Sequence, residues 1–249
     1  MPNPNTEIVY LDPYAKYEPF PPPEMAWEEP NGFIAVGGDL SPSRLINAYR
    51  SGIFPWYNEG EPICWWNPDP RSVLFPEDIR ITRSLRKSIR NKGYSIVFDK
   101  NFREVIRACA DTRAYSDGTW ISEDMQYAYC RLHEIGVAHS VEVYNRNDKL
   151  VGGLYGVSSG AVFSGESMFS TERDTSKIAF VALAWYAQQQ GYRIIDCQIE
   201  NNHLLSLGAV NIPRKEYLNI LKSTPAPLHA DWVFDPSVDL SRWHPQQTD

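Results

Sequence analysis

The chain has 249 residues, of which 43% are apolar and 22% are charged, with 19 Pro and 15 Gly. This composition is typical of a compact protein of one large domain or two unequal ones, and it excludes wholesale disorder, collagen and coiled coil. Lys and Arg number 24 against 31 Asp and Glu, which gives a net charge of −7. A nucleic-acid partner would therefore have to be held by a local basic patch and not by the overall field.

The cysteines do not have the paired spacing of a zinc site or the density of a disulfide scaffold. They stand alone at positions 64, 109, 130 and 197, which fits a reducing compartment. The N-terminus has no basic start followed by an apolar core, and the longest apolar stretch, 178–187, is about half a membrane span. We expect a cytoplasmic protein without membrane contact.

The N-terminal third is rich in proline and aromatic residues. Residues 1–30 contain eight prolines and predict an extended arm. Ser41 followed by Pro42 predicts the start of a helix that ends at Gly52. Residues 53–71 hold three tryptophans and four prolines, which favours an aromatic-walled loop over a regular element. We place a domain boundary at its end, with an N-terminal domain of residues 1–69 and a C-terminal domain of residues 70–249.

A run of basic residues follows this boundary. Residues 79–92 contain six Lys or Arg and no acidic residue. In a helix, Arg83, Lys87 and Arg90 would share one face. A solvated helix face is the alternative explanation. In an acidic protein, however, this run supplies the local patch that a nucleic-acid partner would require.

The second half of the chain alternates strands and helices more regularly. Strands are predicted at 140–144, 150–157 and 161–169, followed by a helix at about 176–190 with Asp174 or Thr175 as its cap. A further strand is predicted at 193–199 and a closing helix at 213–221. This order predicts a mixed α/β protein with at least one crossover connection.

The segment RIIDCQIENNH is the most informative for chemistry. If it forms a strand, Ile195, Cys197 and Ile199 face one side, while Asp196 and Gln198 face the other. A carboxylate and a carboxamide near the end of a strand lie where open α/β sheets usually bind their ligands. A solvated edge face is the other reading of the same pattern.

Other catalytic patterns are missing from the sequence. There is no G-x-S-x-G elbow, no paired histidine spacing for a metal and no P-loop. Gly152, Gly153 and Gly156 lie inside a strand pattern, where glycine marks a bulge or the close approach of backbone or ligand. The turn at 170–176 has no glycine and two carboxylates, which would repel a pyrophosphate. If the chain has an acyltransferase fold, we therefore expect an acyl donor other than coenzyme A. We expect no cofactor and no metal.

Several sequence motifs together resemble one family, the bacterial leucyl/phenylalanyl-tRNA–protein transferases. The likeness runs in order from about residue 31 to residue 217. The motifs that carry the likeness are FPWY at 54–57, WWNPDPR at 65–71, GTWI at 118–121, RLHEIG at 131–136, AHSVEV at 138–143, VGGLYGV at 151–157, GESMFS at 165–170, and IDCQ with N, H and LGA at 195–209.

The resemblance implies a fold and a reaction. The fold is a small N-terminal domain joined to a C-terminal domain of the N-acetyltransferase superfamily fold, α/β of the α+β type with a mixed sheet. The reaction is transfer of Leu, or of Phe and less readily Met, from aminoacyl-tRNA to proteins beginning with Arg or Lys, which marks them for N-end-rule degradation. The partners are then Leu-tRNA, Phe-tRNA and such proteins, and we expect a monomer. A tRNA ester as the donor explains the turn that suits no pyrophosphate.

The resemblance also implies roles for individual residues. Asp196 and Gln198 match the proposed catalytic pair, and Glu166 and Asn201 match the acceptor side. The donor pocket and the adenosine contacts match Tyr49, Trp56, Trp120, Tyr129, Leu154, Phe163 and Leu183. The tRNA phosphate contacts match Arg83, Lys87 and Arg90. Leu154 and Leu183 stand where some members have Met and Phe.

Elementary chemistry is compatible with this reaction. At pH 7, roughly a tenth of the α-amino groups in a population are already free amines. The aminoacyl ester is activated, so amide formation from it needs no ATP. The protein has to align amine and ester and stabilise the oxyanion, with about 2–4 kcal/mol per well-placed donor. Two alternatives are a tRNA- or peptide-binding module without turnover and a peptidoglycan-type aminoacyltransferase. Asp196, Gln198 and Glu166 together argue against the module.

Overall fold

The computed structural model of the chain describes residues 7–15, 17–114, 120–223 and 231–246. Its helices are α1 (Pro42–Arg50), α2 (Arg83–Lys92), α3 (Phe102–Ala114), α4 (Glu123–Glu134), α5 (Thr175–Gln190), α6 (Asn202–Ser206) and α7 (Arg214–Ser223). Its strands are β1 (Tyr10–Leu11), β2 (Phe33–Gly37), β3 (Phe54–Pro55), β4 (Cys64–Trp66), β5 (Arg71–Leu74), β6 (Ser95–Phe98), β7 (Ala138–Tyr144), β8 (Leu150–Ser159), β9 (Val162–Ser170), β10 (Ile194–Gln198) and β11 (Val210–Ile212). The first six residues of the predicted arm, residues 118 and 119 of the GTWI motif, and His229 lie outside the described residues.

A small sheet with the strand order β1-β2-β4-β3 forms the N-terminal part. Trp65 of β4 is fully buried, and its indole N–H donates to the Gly37 carbonyl at 2.8 Å. The prediction of a loop without regular structure over 53–71 is therefore wrong for β3 and β4. These strands have two and three residues, too few for an alternating pattern to show in the sequence.

A larger sheet has the strand order β11-β5-β10-β9-β8-β7-β6. The pair β9 and β10 is parallel, and every other neighbouring pair in this sheet is antiparallel. Helix α5 makes the crossover between the two parallel strands and is buried along most of its length. The predicted mixed α/β class with a mixed sheet is confirmed.

Side-chain caps start helices α1 and α2, but not α5. The Ser41 hydroxyl accepts a hydrogen bond from the Arg44 backbone N–H at the start of α1. Thr82 caps α2 in the same way, and Gly93 ends it in the left-handed conformation with φ of 68°. Helix α5 begins after Asp174, whose side chain makes no capping hydrogen bond. The predicted strands and helices of the second half lie within one or two residues of the observed ones.

The glycines of β8 allow close packing within the protein. A Cβ atom on Gly152 would collide with Thr175 at the start of α5, and one on Gly153 would lie 2.7 Å from the Val141 carbonyl oxygen. A Cβ atom on Gly156 would collide with the Ser164 carbonyl, beside a register shift between β8 and β9. Neighbouring backbone and side chains therefore explain this glycine pattern.

Helix length and apolarity bear on membrane insertion. In the described parts of the chain, none of the helices is both long and apolar enough to cross a bilayer.

Candidate active site

A pocket of about 460 Å³ lies at the C-terminal end of β10. Strands β8, β9 and β10, the inner side of α5, the start of α6 and the aromatic segment after α1 contribute to its wall. The predicted site residues that line it are Trp56, Trp120, Leu154, Glu166, Leu183, Asp196, Gln198 and Asn201. Met168, Phe180, Phe54 and His203 also line it. The pocket therefore combines an apolar wall with a small group of polar side chains.

Asp196 is fully buried beside this pocket, and both of its oxygens are engaged. Its Oδ1 accepts hydrogen bonds from Arg71 Nε at 2.8 Å and from the Gln198 backbone N–H at 2.9 Å. Its Oδ2 accepts from Arg71 Nη2 at 2.7 Å, from the Tyr217 hydroxyl at 3.1 Å and from the Ser164 hydroxyl at 3.2 Å. Five hydrogen bonds, two of them from the Arg71 guanidinium, hold the carboxylate in a fixed position.

Arg71 connects this carboxylate to the N-terminal part of the chain. Its Nη1 donates to the Gly52 carbonyl at 3.1 Å, and its guanidinium carbon lies 4.4 Å and 5.0 Å from the ring centroids of Tyr217 and Phe54. Burial alone would lower the pKa of Arg71, but the charge of Asp196, its hydrogen bond to Arg71 and the nearby Tyr217 and Glu166 together outweigh burial, and the pKa is raised. The guanidinium therefore stays charged and joins the turn after α1 to β10.

Gln198 departs from the predicted strand geometry. It has φ of 63°, and the β10–β5 pairing shifts register between Asp196 and Gln198. This left-handed conformation costs a residue other than glycine about 1–3 kcal/mol, and the hydrogen bond to Asp196 Oδ1 helps to hold it. The Gln198 side chain Nε2 then donates to Glu166 Oε1 at 2.8 Å. Regular alternation would not have produced this contact.

Glu166 on β9 is 6% exposed and faces the pocket. Its Oε2 accepts a hydrogen bond from the Tyr129 hydroxyl at 3.1 Å. Burial raises the pKa of Glu166 to about 7; the nearby Asp196 charge adds to this, and hydrogen bonds from Tyr49, Tyr129 and Gln198 oppose it. In the described chain Glu166 forms no salt bridge, so its charge is not neutralised in the way that Asp196 is.

Three of the residues matched to the donor pocket and adenosine lie behind the pocket wall. Tyr49 and Tyr129 are buried and hydrogen-bonded to each other on the far side of Glu166. Phe163 is fully buried, and its ring packs 5.2 Å from that of Trp232. These side chains support the pocket lining and do not form it.

Asn201 lines the pocket and also caps a helix. Its Oδ1 accepts a hydrogen bond from the Leu204 backbone N–H at 2.9 Å, at the start of α6. The same residue therefore fixes the segment that follows Gln198.

Helix α2 presents the predicted basic face to solvent. Arg83, Lys87 and Arg90 are exposed, whereas Leu85 on the opposite side is buried in the core. No salt bridge involves these three basic residues within the described ranges. The charge of Arg90 does contribute to the lowered pKa of Asp239, after the hydrogen bonds from Ser241.

Two further contacts fix α2 on the rest of the molecule. The Arg86 Nη1 donates to the carbonyls of Ser241 and Trp243, at 3.0 Å and 2.7 Å. The Ser88 hydroxyl donates to Asp174 at the start of α5 at 2.7 Å. The basic face therefore has a fixed orientation relative to α5, which forms one wall of the pocket.

The described residues contain no group of three His, Cys, Asp or Glu side chains that could hold a metal ion. The turn at 170–176 is occupied by its own contacts, since Glu172 accepts hydrogen bonds from Asn145 and Tyr94 at 2.8 Å each. With Glu172 and Asp174, this turn presents carboxylates and is unsuited to binding an anion.

Sequence reasoning missed the partners of Asp196. Arg71, Ser164 and Tyr217 are 125, 32 and 21 residues away along the chain. Arg71 is the last residue of the motif WWNPDPR, which carried part of the resemblance. Its place in that motif was the one available signal that it belongs to the site. Ser164 and Tyr217 had no comparable signal.

The matches to known proteins agree with this geometry. The sequence pattern of the family described as leucyl/phenylalanyl-tRNA protein transferase matches residues 73–222, and that of its N-terminal domain matches residues 38–69. A protein of that name from Stutzerimonas stutzeri is 54% identical over 214 residues, which is 86% of this chain and 94% of the relative. One from Hahella chejuensis is 55% identical over 203 residues, 82% of this chain and 86% of the relative.

The chain belongs to the leucyl/phenylalanyl-tRNA–protein transferase family. The predicted family and the predicted enzyme class, an aminoacyltransferase, are confirmed. Among solved structures, L-PGS from Bacillus licheniformis matches with a TM-score of 0.39 and 13% identity, covering 60% of this chain and 48% of that one. This likeness is too weak to bear on the activity.

Proposed function

We propose that this family member transfers Leu, Phe and less readily Met from aminoacyl-tRNA to the α-amino group of proteins that begin with Arg or Lys, and so marks them for N-end-rule degradation. One observation carries the proposal: an apolar pocket ends at an amide–carboxylate pair, Gln198 Nε2 to Glu166 Oε1, at 2.8 Å. The apolar wall suits the aminoacyl side chain. The polar pair suits the amine that attacks it.

The donor side chain is assigned to the wall formed by Leu154, Met168, Phe180 and Leu183. Branched aliphatic and thioether side chains leave an irregular space that Leu, Met or Phe can fill, whereas a charged side chain would lose its hydration there. Trp56 and Trp120 line the same pocket and provide ring faces for the terminal adenosine of the tRNA.

The acceptor side is assigned to Glu166 and Asn201. Because Arg71 compensates Asp196, Glu166 provides the pocket with its net negative charge when ionised. Such a charge attracts the cationic first residue of the acceptor protein. The Asn201 amide can hydrogen-bond the peptide that follows.

Gln198 is assigned to the chemical step and Asp196 to its orientation. With its Nε2 donating to Glu166, the Oε1 of Gln198 is free of donors from the described residues and can accept a hydrogen bond from the attacking amine. Asp196 fixes the Gln198 backbone through the hydrogen bond at 2.9 Å. This arrangement aligns amine and ester, which supplies much of the rate in an aminolysis of an activated ester.

The exposed face of α2, formed by Arg83, Lys87 and Arg90, is assigned to the phosphates of the tRNA acceptor stem. The Ser88–Asp174 hydrogen bond holds α2 beside α5, which forms one wall of the pocket. A tRNA bound to this face is therefore placed to extend its acceptor end to the pocket. We also propose the domain division at residues 69 and 70, a monomeric state and a cytoplasmic location.

The test is transfer of labelled Leu from Leu-tRNA to peptides that differ only in residue one. Peptides that begin with Arg or Lys should be labelled, and the same peptides with an acetylated N-terminus should not be. Labelling of an internal lysine side chain would favour a peptidoglycan-type reaction. Tight binding of Leu-tRNA without any transfer would indicate a binding module.

A further inference from the structure

The transfer reaction releases a proton, and Asp196 is poorly placed to receive it. An α-ammonium group must lose one proton before its nitrogen can attack an ester. Asp196 has no exposed surface, and its oxygens already accept five hydrogen bonds, two of them from Arg71. Protonation would break this pairing and leave the buried guanidinium without its partner. The proton acceptor has to be another group.

Glu166 is the other carboxylate of the pocket lining. It reaches the pocket surface and forms no salt bridge with the described residues. It also contacts Gln198, the residue that we assign to the amine. A base has to lie within hydrogen-bonding distance of the proton that it removes, and the Glu166 carboxylate itself lines the pocket, next to the Gln198 side chain.

Two tyrosine hydroxyls lie behind Glu166. The Tyr129 hydroxyl donates to Glu166 Oε2 at 3.1 Å and is hydrogen-bonded to the Tyr49 hydroxyl. Burial raises the pKa of Tyr49 and Tyr129 well above the ordinary value, with the Glu166 charge adding to it, so both hydroxyls stay protonated. The hydrogen bonds from both hydroxyls favour the ionised form of the Glu166 carboxylate.

We propose that Glu166 is the general base of the transfer reaction and that Tyr129 and Tyr49 set its proton affinity. The inference rests on the proposed function. One N–H bond of the α-ammonium breaks and an O–H bond forms on Glu166. The nitrogen lone pair forms the C–N bond, the C–O bond to the ribose breaks, and the second N–H proton goes to the ribose oxygen. Glu166 then returns one proton to water.

The charge environment gives this base a suitable working range. The groups that face Glu166 are Tyr49 on α1, Tyr129 on α4, Asp196 and Gln198 on β10, and Arg71 on β5. Burial first, and then Asp196, raise the pKa of Glu166 to about 7. Since the base acts when ionised, turnover should decline as the pH falls below this value. Removing a hydroxyl that stabilises the ionised form should move that decline to higher pH.

The experiment measures single-turnover transfer of Leu from Leu-tRNA to an Arg-starting peptide at saturating peptide, between about pH 5.5 and 8.5. Tyr129→Phe should shift the acidic limb upward by about one pH unit, and Tyr49→Phe should shift it in the same direction. Glu166→Gln should lower the plateau rate by about 10²-fold or more and remove the limb that the tyrosine variants move. The matched control is Tyr186→Phe. It removes a buried hydroxyl that donates to the Asp231 carbonyl and is not among the groups around Glu166.

A shift of the limb alters the protonation of a group, which loss of structure would not do. An unchanged limb in both folded tyrosine variants, or an unchanged plateau in Glu166→Gln, overturns the assignment. If Tyr129→Phe does not fold, as judged by near-UV circular dichroism, the Tyr49→Phe profile decides alone. If the wild-type protein transfers no Leu to any peptide, the proposed function fails instead, and the two failures are thereby distinguished.

Discussion

At the scale of single residues, Arg71 and Asp196 depend on each other. Each has no more than 1% of its side chain exposed, and they are joined by two hydrogen bonds of 2.7 Å and 2.8 Å. Removal of one partner from a buried pair leaves an uncompensated charge, which typically costs about 3–5 kcal/mol. The pair is also the anchor of the Gln198 backbone, so its loss should affect both stability and turnover.

Arg71→Ala should therefore lower the free energy of unfolding by about 3–5 kcal/mol. The measurement is urea unfolding monitored by tryptophan fluorescence. Arg107→Ala is the matched control, because Arg107 forms an exposed ion pair with Asp111 on α3 and should contribute less than about 1 kcal/mol. Equal losses in the two variants would mean that the buried pair is not the structural anchor described above.

Asp196 and Gln198 should behave as one unit in the chemical step. Ala in place of either residue is expected to lower kcat by about 10²–10³ while tRNA affinity changes little, and the double replacement should lose far less than the product of the two effects. Asp196→Asn keeps the shape and removes the charge. Its turnover, measured with circular dichroism as the folding control, should fall similarly; a near-wild-type rate would show that no anion is needed there.

The family motifs in the sequence identified Asp196, Gln198 and Glu166 as candidate site residues. They did not show the backbone conformation of Gln198 or which carboxylate is neutralised by a partner. The Gln198 φ of 63° breaks the alternation on which the strand reading relied. Whether a carboxylate is neutralised depends on partners from distant segments, such as Arg71 for Asp196. These properties arise only once the sheet is assembled.

At the scale of elements, strong local signals were sufficient for α1 and α5, whereas α2 was considered only as a possible helix for the basic run. Helices α3 and α4 also carry an apolar stripe, at Phe102, Val105, Ile106 and Cys109 and at Met125, Ala128, Tyr129 and Leu132, which periodicity could have identified. Strands β5 and β11 have four and three residues and are defined by their pairing with each other. Such short strands have no period of their own to detect.

The exposed face of α2 should determine how strongly tRNA binding depends on salt. Replacing Arg83, Lys87 and Arg90 together with Ala should raise the apparent KM for tRNA and flatten the slope of log K against log salt by about two to three. A charge-matched control replaces Arg103, Arg107 and Arg131, which are exposed on α3 and α4. If the slope stays the same in the α2 variant, the face is only a solvated helix surface.

At the scale of the whole molecule, the reaction pocket is shared by the two sheets. Phe54 and Trp56 come from the N-terminal part, whereas Glu166 and Gln198 come from the larger sheet. Arg71 contacts both parts, through the Gly52 carbonyl and Asp196. The mixed sheet was predictable from the order of strands and helices, but the way in which the two parts meet was not, because it depends on contacts between residues far apart in the sequence.

The central claim is that an apolar pocket receives the aminoacyl group of the donor. The most direct test compares Leu, Met, Phe, Val, Ile and Lys, each carried on its own tRNA, as donors to one Arg-starting peptide. Since one methylene is worth only about 1–3 kcal/mol in such a pocket, kcat/KM should be highest for Leu, followed by Met and Phe, with Val and Ile poor and Lys near background. Transfer of Lys as fast as that of Leu would contradict the account.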